Sequence, residues 1–139
     1  MAGNLRAATR VVTRLYDDAL RVSDLRITQV AILVQVLRGQ PMAVTELAAN
    51  LSAERSAVAR DLRVLEREGL VRTAQRVTDR RVREVSLTES GAQRLQESAP
   101  AWQAAQAHAR AHLGAASVDA LTALAGEVVR ELSEEPRTS

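Results

Sequence analysis

The sequence predicts a mainly α-helical fold carrying one small β-hairpin. Three observations point there. Alanine and leucine dominate a chain that has no phenylalanine and only Tyr16 and Trp102 as aromatics, a composition that favours helix. Apolar residues recur at three- and four-residue spacing between sparse breaks at Gly39, Pro41, Gly69, Gly91, Gly114 and Pro136. Only over 70–87 does the period change, to runs rich in β-branched residues.

The first helix is predicted over about 4–21, where Leu5, Ala8, Val12, Leu15 and Ala19 form one stripe. The second runs over 29–37 with Thr28 as its N-cap. Val30, Ile32, Leu33, Val36 and Leu37 make it apolar nearly all round, which places it at the centre of the core. Gly39-Gln40-Pro41 ends it. A short helix over 45–51 turns Leu47, Ala48 and Leu51 inward, and Ser52-Ala53-Glu54 is a tight turn. A fourth helix spans about 55–68, with Gly69 where a C′ residue belongs. Strands follow over 70–76 and 82–87, with Asp79-Arg80-Arg81 at the turn between them. Thr88 caps a long helix to about 113, bent near Pro100 because proline lacks the backbone donor. Ser117 caps a last helix to about 132, with Val118, Leu121, Leu124, Ala125, Val128 and Leu132 on its apolar face. The polar tail, 133–139, is expected to fray.

Composition excludes several function classes. A chain of 139 residues is one domain of ordinary size with a core that needs no staples. The absence of cysteine removes disulfides, thiolate metal sites and thiol catalysis. No apolar run reaches the ~20 residues of a membrane span and no signal-peptide core opens the chain, so a soluble cytoplasmic protein without a membrane partner is expected. No nucleophile–base set, glycine-rich phosphate loop or convergent carboxylate pair stands out, so neither an enzyme nor a cofactor is expected.

Charge is informative only when placed. The net charge is +2 and the isoelectric point about 10.3, because every basic residue is arginine and almost nothing titrates between neutrality and strong base. Residues 55–83 hold nine arginines against four acids, a net of +5, which leaves −3 for the rest of the chain. That segment contains the fourth helix and the hairpin. At 100° per residue, Val58 and Leu65 lie within about 60° of Leu62, while Ser56, Arg60, Arg63 and Arg67 lie about 100–160° away. An aliphatic back and an arginine front suit a helix that packs on its domain and lies in a major groove. A solvated charged face is the blander account of the same stripe. The order short helix, turn, helix, basic hairpin is that of a winged helix-turn-helix. The hairpin arginines suit a narrow minor groove and the phosphate backbone.

The runs Leu65-Glu66-Arg67-Glu68-Gly69-Leu70-Val71, Asp79-Arg80-Arg81-Val82-Arg83 and Ser86-Leu87-Thr88-Glu89-Ser90-Gly91 resemble the MarR family of bacterial transcription regulators. The match is dense over 28–96 and elsewhere rests on helix order. The resemblance implies one domain over 1–139. Residues 28–90 would bind DNA, 1–22 and 91–133 would form dimerisation helices, and 134–139 would be a tail. It implies a homodimer on a palindromic operator in double-stranded DNA, acting as a repressor released by a small-molecule effector, aromatic or phenolic in many relatives. The implied DNA-binding residues are Arg55, Ser56, Ala57, Ala59, Arg60, Arg63 and Arg67 on the recognition helix and Arg76, Asp79, Arg80 and Arg81 on the wing. Asp79 would brace an arginine there and Arg81 would reach the minor groove. Alanine at 57 and 59 departs from the Thr or Ser common in relatives, which shifts base readout toward Arg60, Arg63 and thymine-methyl contacts. The family's cysteine-oxidation switch has no residue to use here.

Effector-binding candidates by position are Tyr16, Arg10, Arg14, Ile32, Gln35, Trp102 and Gln106. Trp102 reads first as a packing or dimer-interface anchor and second as part of an effector pocket. His108 and His112 have the spacing of a metal half-site but no declared further ligand, so no metal site is expected, with a metal-responsive regulator as an alternative. A winged helix repurposed to bind a partner protein is the other alternative; it would call for an apolar wing or recognition face.

Overall fold

The computed structural model describes residues Met1–Ser133. The described elements are α1 (Ala2–Leu20), a 3-10 turn (Arg21–Ser23), α2 (Ile27–Gly39), β1 (Met42–Ala43), α3 (Val44–Asn50), α4 (Arg55–Arg67), β2 (Val71–Gln75), β3 (Arg83–Leu87), α5 (Glu89–Leu113) and α6 (Ala115–Ser133). The chain forms two compact units, Met1–Trp102 and Gln103–Ser139, whose boundary falls inside α5. Among the described residues no helix is long and apolar enough to cross a membrane.

In the first unit α2 is central, as its all-round apolar pattern predicts. Val30, Ile32, Leu33 and Val36 are buried with Leu20, Leu47, Leu62, Leu65, Leu70 and Val85. Each such side chain contributes about 1.5–3 kcal/mol by leaving water. The start of α2 differs from the expectation. Thr28 is not its cap, because the helix begins at Ile27 with Arg26 in the capping position. Two early amide groups find acceptors elsewhere. The Gln29 Oε1 accepts the Arg26 N–H at 2.9 Å, and Asp17 Oδ1, reaching over from α1, accepts the Ile27 N–H at 2.7 Å. A tertiary acceptor thus replaces the local hydroxyl.

The expected hairpin gains a third strand. The sheet is antiparallel in the order β1-β3-β2, with Val71 opposite Leu87 and Gln75 opposite Arg83. Met42 pairs with Val85 and Ala43 with Glu84. Two residues carry no readable period, so β1 exists only because β3 offers an edge and both its residues are buried. The Gln40 side chain extends that edge by accepting the Leu87 N–H at 2.8 Å.

Two glycines fix how α4, the sheet and α5 join. Gly69 has a φ of +73°. Its N–H bonds the Glu66 carbonyl at 3.0 Å, and the Leu70 N–H bonds the Leu65 carbonyl at 2.9 Å, the paired bonds of a helix closed by a left-handed residue. Gly91 is required for a different reason. A Cβ there would overlap the Leu70 carbonyl oxygen. Thr88 seals the same junction as predicted: its Oγ1 accepts the Gly91 N–H at 3.0 Å and donates to the Gly69 carbonyl at 2.5 Å. The Leu-Thr…Gly spacing is therefore a packing requirement on the backbone.

The second unit comprises the end of α5 and α6. Ser117 is not the cap of α6, which begins at Ala115. Gly114, at a φ of +84°, separates α5 from α6, and its carbonyl accepts the Val118 N–H at 3.2 Å. The helix is thus already under way before Ser117. No residue of α6 is buried, and Leu121, Leu124, Val128, Val129 and Leu132 are all exposed. The predicted tail at 134–139 lies outside the described residues.

Candidate nucleic-acid interface

The amphipathic split of α4 is realised in the fold. Val58, Leu62 and Leu65 are buried, while Ser56, Arg60, Arg63 and Arg67 are exposed. Arg55 and Ser56 occupy its first turn in the open, and Ala57 and Ala59 are half-buried. The three acids between 61 and 68 leave the arginines of α4 free. Asp61 receives Arg26 Nη2 at 3.4 Å. Glu66 is tied to Thr73 at 2.7 Å. Glu68 lies beyond the helix end. Among the described residues no ion pair engages Arg60, Arg63 or Arg67. An exposed row of unneutralised guanidinium groups on a rigid helix can meet guanine edges bidentately or phosphates singly.

At the tip of the hairpin, Asp79 and Arg81 form a fork. Arg81 Nε donates to Asp79 Oδ1 and Nη2 to Oδ2, both at 3.1 Å, and the Arg81 backbone N–H donates to Oδ1 at 3.1 Å. These bonds hold the Asp79 carboxyl below the usual carboxylate range and raise the Arg81 guanidinium. Arg81 itself remains 90% exposed, so the brace orients its side chain without hiding it. Arg80, beside it, is exposed. Arg76 behaves differently: Glu84 on β3 binds its Nε closely. That pair ties Arg76 to the sheet while leaving its side chain 40% exposed.

A side-chain relay connects hairpin and helix. Arg83 Nη2 donates to Thr73 Oγ1 at 2.7 Å, and Thr73 Oγ1 donates to Glu66 Oε1 at 2.7 Å. Its only signal in the sequence is the alternation of Arg83, Val85 and Leu87 with Glu84 and Ser86, which places Arg83 on a face without showing its partner.

The effector candidates are only partly brought together. Tyr16 on α1 is buried and its ring lies 4.5 Å from that of Trp102, tilted by 42°. Burial raises the Tyr16 hydroxyl pKa. Ile32 is buried, Gln35 half-buried, and Arg10 and Arg14 are exposed. Gln106 falls in the second unit and is half-buried. A cleft of about 1000 Å³ in the first unit has a different lining, with Asp17, Arg21, Asp24, Arg26, Glu68 and Arg94 among it. The His108 and His112 rings stack at 4.1 Å. Among the described residues no three His, Asp or Glu side chains gather as a metal site.

Known proteins resemble the chain in both sequence and fold. The MarR family profile matches residues 25–82. No curated protein matches the chain. The M. tuberculosis transcriptional regulator MosR, solved in complex with DNA, is 33% identical, with 93% of this chain and 95% of that one covered and a TM-score of 0.79. A mutant MarR from E. coli complexed with operator DNA is 23% identical over 92% of each chain, with a TM-score of 0.81. The repressor CouR bound to a DNA duplex is 22% identical over 93% of this chain and 92% of that one, with a TM-score of 0.84. At such identities the last two likenesses bear on the fold alone. The chain belongs to the MarR family, a family of DNA-binding transcriptional regulators and not of enzymes.

Proposed function

We propose that this protein is a cytoplasmic repressor that binds a palindromic operator as a homodimer and is released by a small aromatic effector. In this reading residues 28–90 contact DNA, with α4 in the major groove and Arg80 and Arg81 in the flanking minor groove. Residues 1–22 and 91–133 pair the two copies. The observation that carries the reading is α4 itself: its aliphatic face is buried while Ser56, Arg60, Arg63 and Arg67 stand exposed without carboxylate partners. The braced Arg81 supports the minor-groove role, since a narrow groove concentrates negative potential that favours arginine.

The dimer is supported by exposed apolar residues at Leu5 and Val12 of α1 and along α6. Such stripes are unfavourable in water and suit a two-fold apolar interface. The effector class is supported by the Tyr16–Trp102 ring pair, which offers aromatic surface.

The test is binding of an operator selected from random duplexes. Arg60→Ala with Arg63→Ala should lose about 1–3 kcal/mol per contact removed, with discrimination between operator and random DNA reduced. Wild-type affinity and discrimination in that double variant would refute the assignment of α4.

A further inference from the structure

We propose that Arg83 is a further DNA contact, a clamp for a backbone phosphate between the groove read by α4 and the groove entered by the hairpin, with Thr73 and Glu66 as its positioning residues. The inference rests on the reading of α4 and the hairpin as the DNA-facing elements.

The arginines of the hairpin fall into three kinds. Arg76 and Arg81 are each paired with a carboxylate, Glu84 and Asp79. The side chains of Arg72 and Arg80 are exposed and make no hydrogen bond or ion pair among the described residues. Arg83 alone is oriented by a neutral group. Its Nη2 donates to Thr73 Oγ1 at 2.7 Å, and no carboxylate of the described residues pairs with it. The direction of the chain of bonds is fixed by its ends. A guanidinium can only donate and a carboxylate can only accept, so the Thr73 proton goes to Glu66 and its lone pair to Arg83. The Thr73 backbone N–H also reaches Glu66 Oε1, at 3.3 Å. Glu66 therefore anchors Thr73, and Thr73 holds Arg83 with no carboxylate in direct contact and four of its five N–H groups free of bonds among the described residues.

The surroundings fit an anion that is part of a chain. Val44 of α3, Ala59, Arg63 and Glu66 of α4, and Thr73 and Arg83 of the hairpin line an open cleft of about 390 Å³. Two exposed guanidinium groups, from two elements, thus face one space with a single carboxylate, Glu66, which is already engaged by Thr73, and the balance is positive. Adjacent major and minor grooves of a duplex are separated by one sugar–phosphate strand, so a protein with a helix in one and a hairpin in the other must straddle that strand. The cleft lies at that junction. A phosphodiester oxygen there can accept from both arginines.

The clamp is tested by measuring affinity for a short random-sequence duplex and for the selected operator across a salt series. A phosphate contact does not read sequence, so Arg83→Ala should weaken both duplexes by the same factor. It should also lower the slope of log K against log salt by about 0.9 for each protomer making the contact. Arg83→Lys should restore the slope. Thr73→Val keeps the charge but removes the tether. It should weaken both duplexes several-fold with the slope kept, and Thr73→Ser should restore affinity. An unchanged slope in Arg83→Ala, or a loss confined to the operator, overturns the clamp while leaving the assignment of α4 intact. If Arg83→Ala unfolds, Arg83→Gln, which keeps the donor to Thr73, gives the same reading. A wild-type protein that binds neither duplex overturns both proposals.

Discussion

Helices α4 and α6 are built on the same plan and end in opposite situations. Both carry aliphatic residues at three- and four-residue spacing. In α4 those residues, Val58, Leu62 and Leu65, are at most 4% exposed. In α6 none is buried, and Leu121, Leu124 and Leu132 are more than half exposed. The polar faces differ in the reverse sense. That of α4 is a row of arginines that would meet a polyanion; that of α6 has no comparable row. One chain satisfies the back of α4 completely and leaves its front for another molecule. For α6 the unsatisfied face is apolar, which points to a protein partner, and in the proposed dimer that partner is a second copy.

The largest expected effect breaks the α6 side of the contrast. Leu124→Asp with Val128→Asp should convert dimer to monomer in analytical ultracentrifugation. It should weaken operator binding by about 10²–10⁴-fold, because two linked half-site contacts become one. A double variant that sediments as a dimer would place the interface elsewhere. Next comes the back of α4. Leu65→Ala, at a site with no exposure, should lower stability by about 2–5 kcal/mol in denaturant unfolding and affect DNA binding only through the folded fraction.

A third prediction concerns the joint behind α4. Gly91→Ala must push α5 away from Leu70. It should destabilise by about 1–3 kcal/mol or more, as overpacking does, whereas Thr88→Ala, which removes one cap, should lose about 0.5–2 kcal/mol. Equal melting temperatures for wild type and Gly91→Ala would show that the junction is looser than described.

The smallest effect is at the wing tip. The Asp79 carboxyl titrates below its ordinary value, about 3.9. Its pairing with Arg81 is therefore present above that value and lost as pH falls through the lower, folded-state one. The Asp79 carboxyl resonance should show that lowered midpoint, and in Arg81→Ala the midpoint should move up. An unmoved midpoint would mean that something other than Arg81 lowers it. Arg81→Ala should also weaken DNA binding and flatten its salt dependence.

Much of this organisation is legible in the residue order. The buried and exposed faces of α4 follow from side-chain identity and the helical period alone. So do the central place of α2, the closing role of Gly69 and the cap at Thr88, since each depends on residues within a few positions of one another. The front of α4 is legible as an arginine row for the same reason. Thr28 and Ser117 show where such reasoning fails. Each is a good local cap, and each was bypassed, the first because Asp17 on another helix supplied the acceptor, the second because Gly114 had already made the turn.

Composition and periodicity by themselves determined the helices, the hairpin and the concentration of arginine on two elements, because those are properties of short stretches of chain. Only the tertiary structure decided how each arginine of the hairpin is held. Arg76, Arg81 and Arg83 look alike in sequence. Arg76 is ion-paired with Glu84 across the hairpin, Arg81 with Asp79 within the turn, and Arg83 is held by Thr73. A guanidinium's availability depends on what lies within a few ångströms of it, and strand pairing brings together residues that the sequence keeps apart.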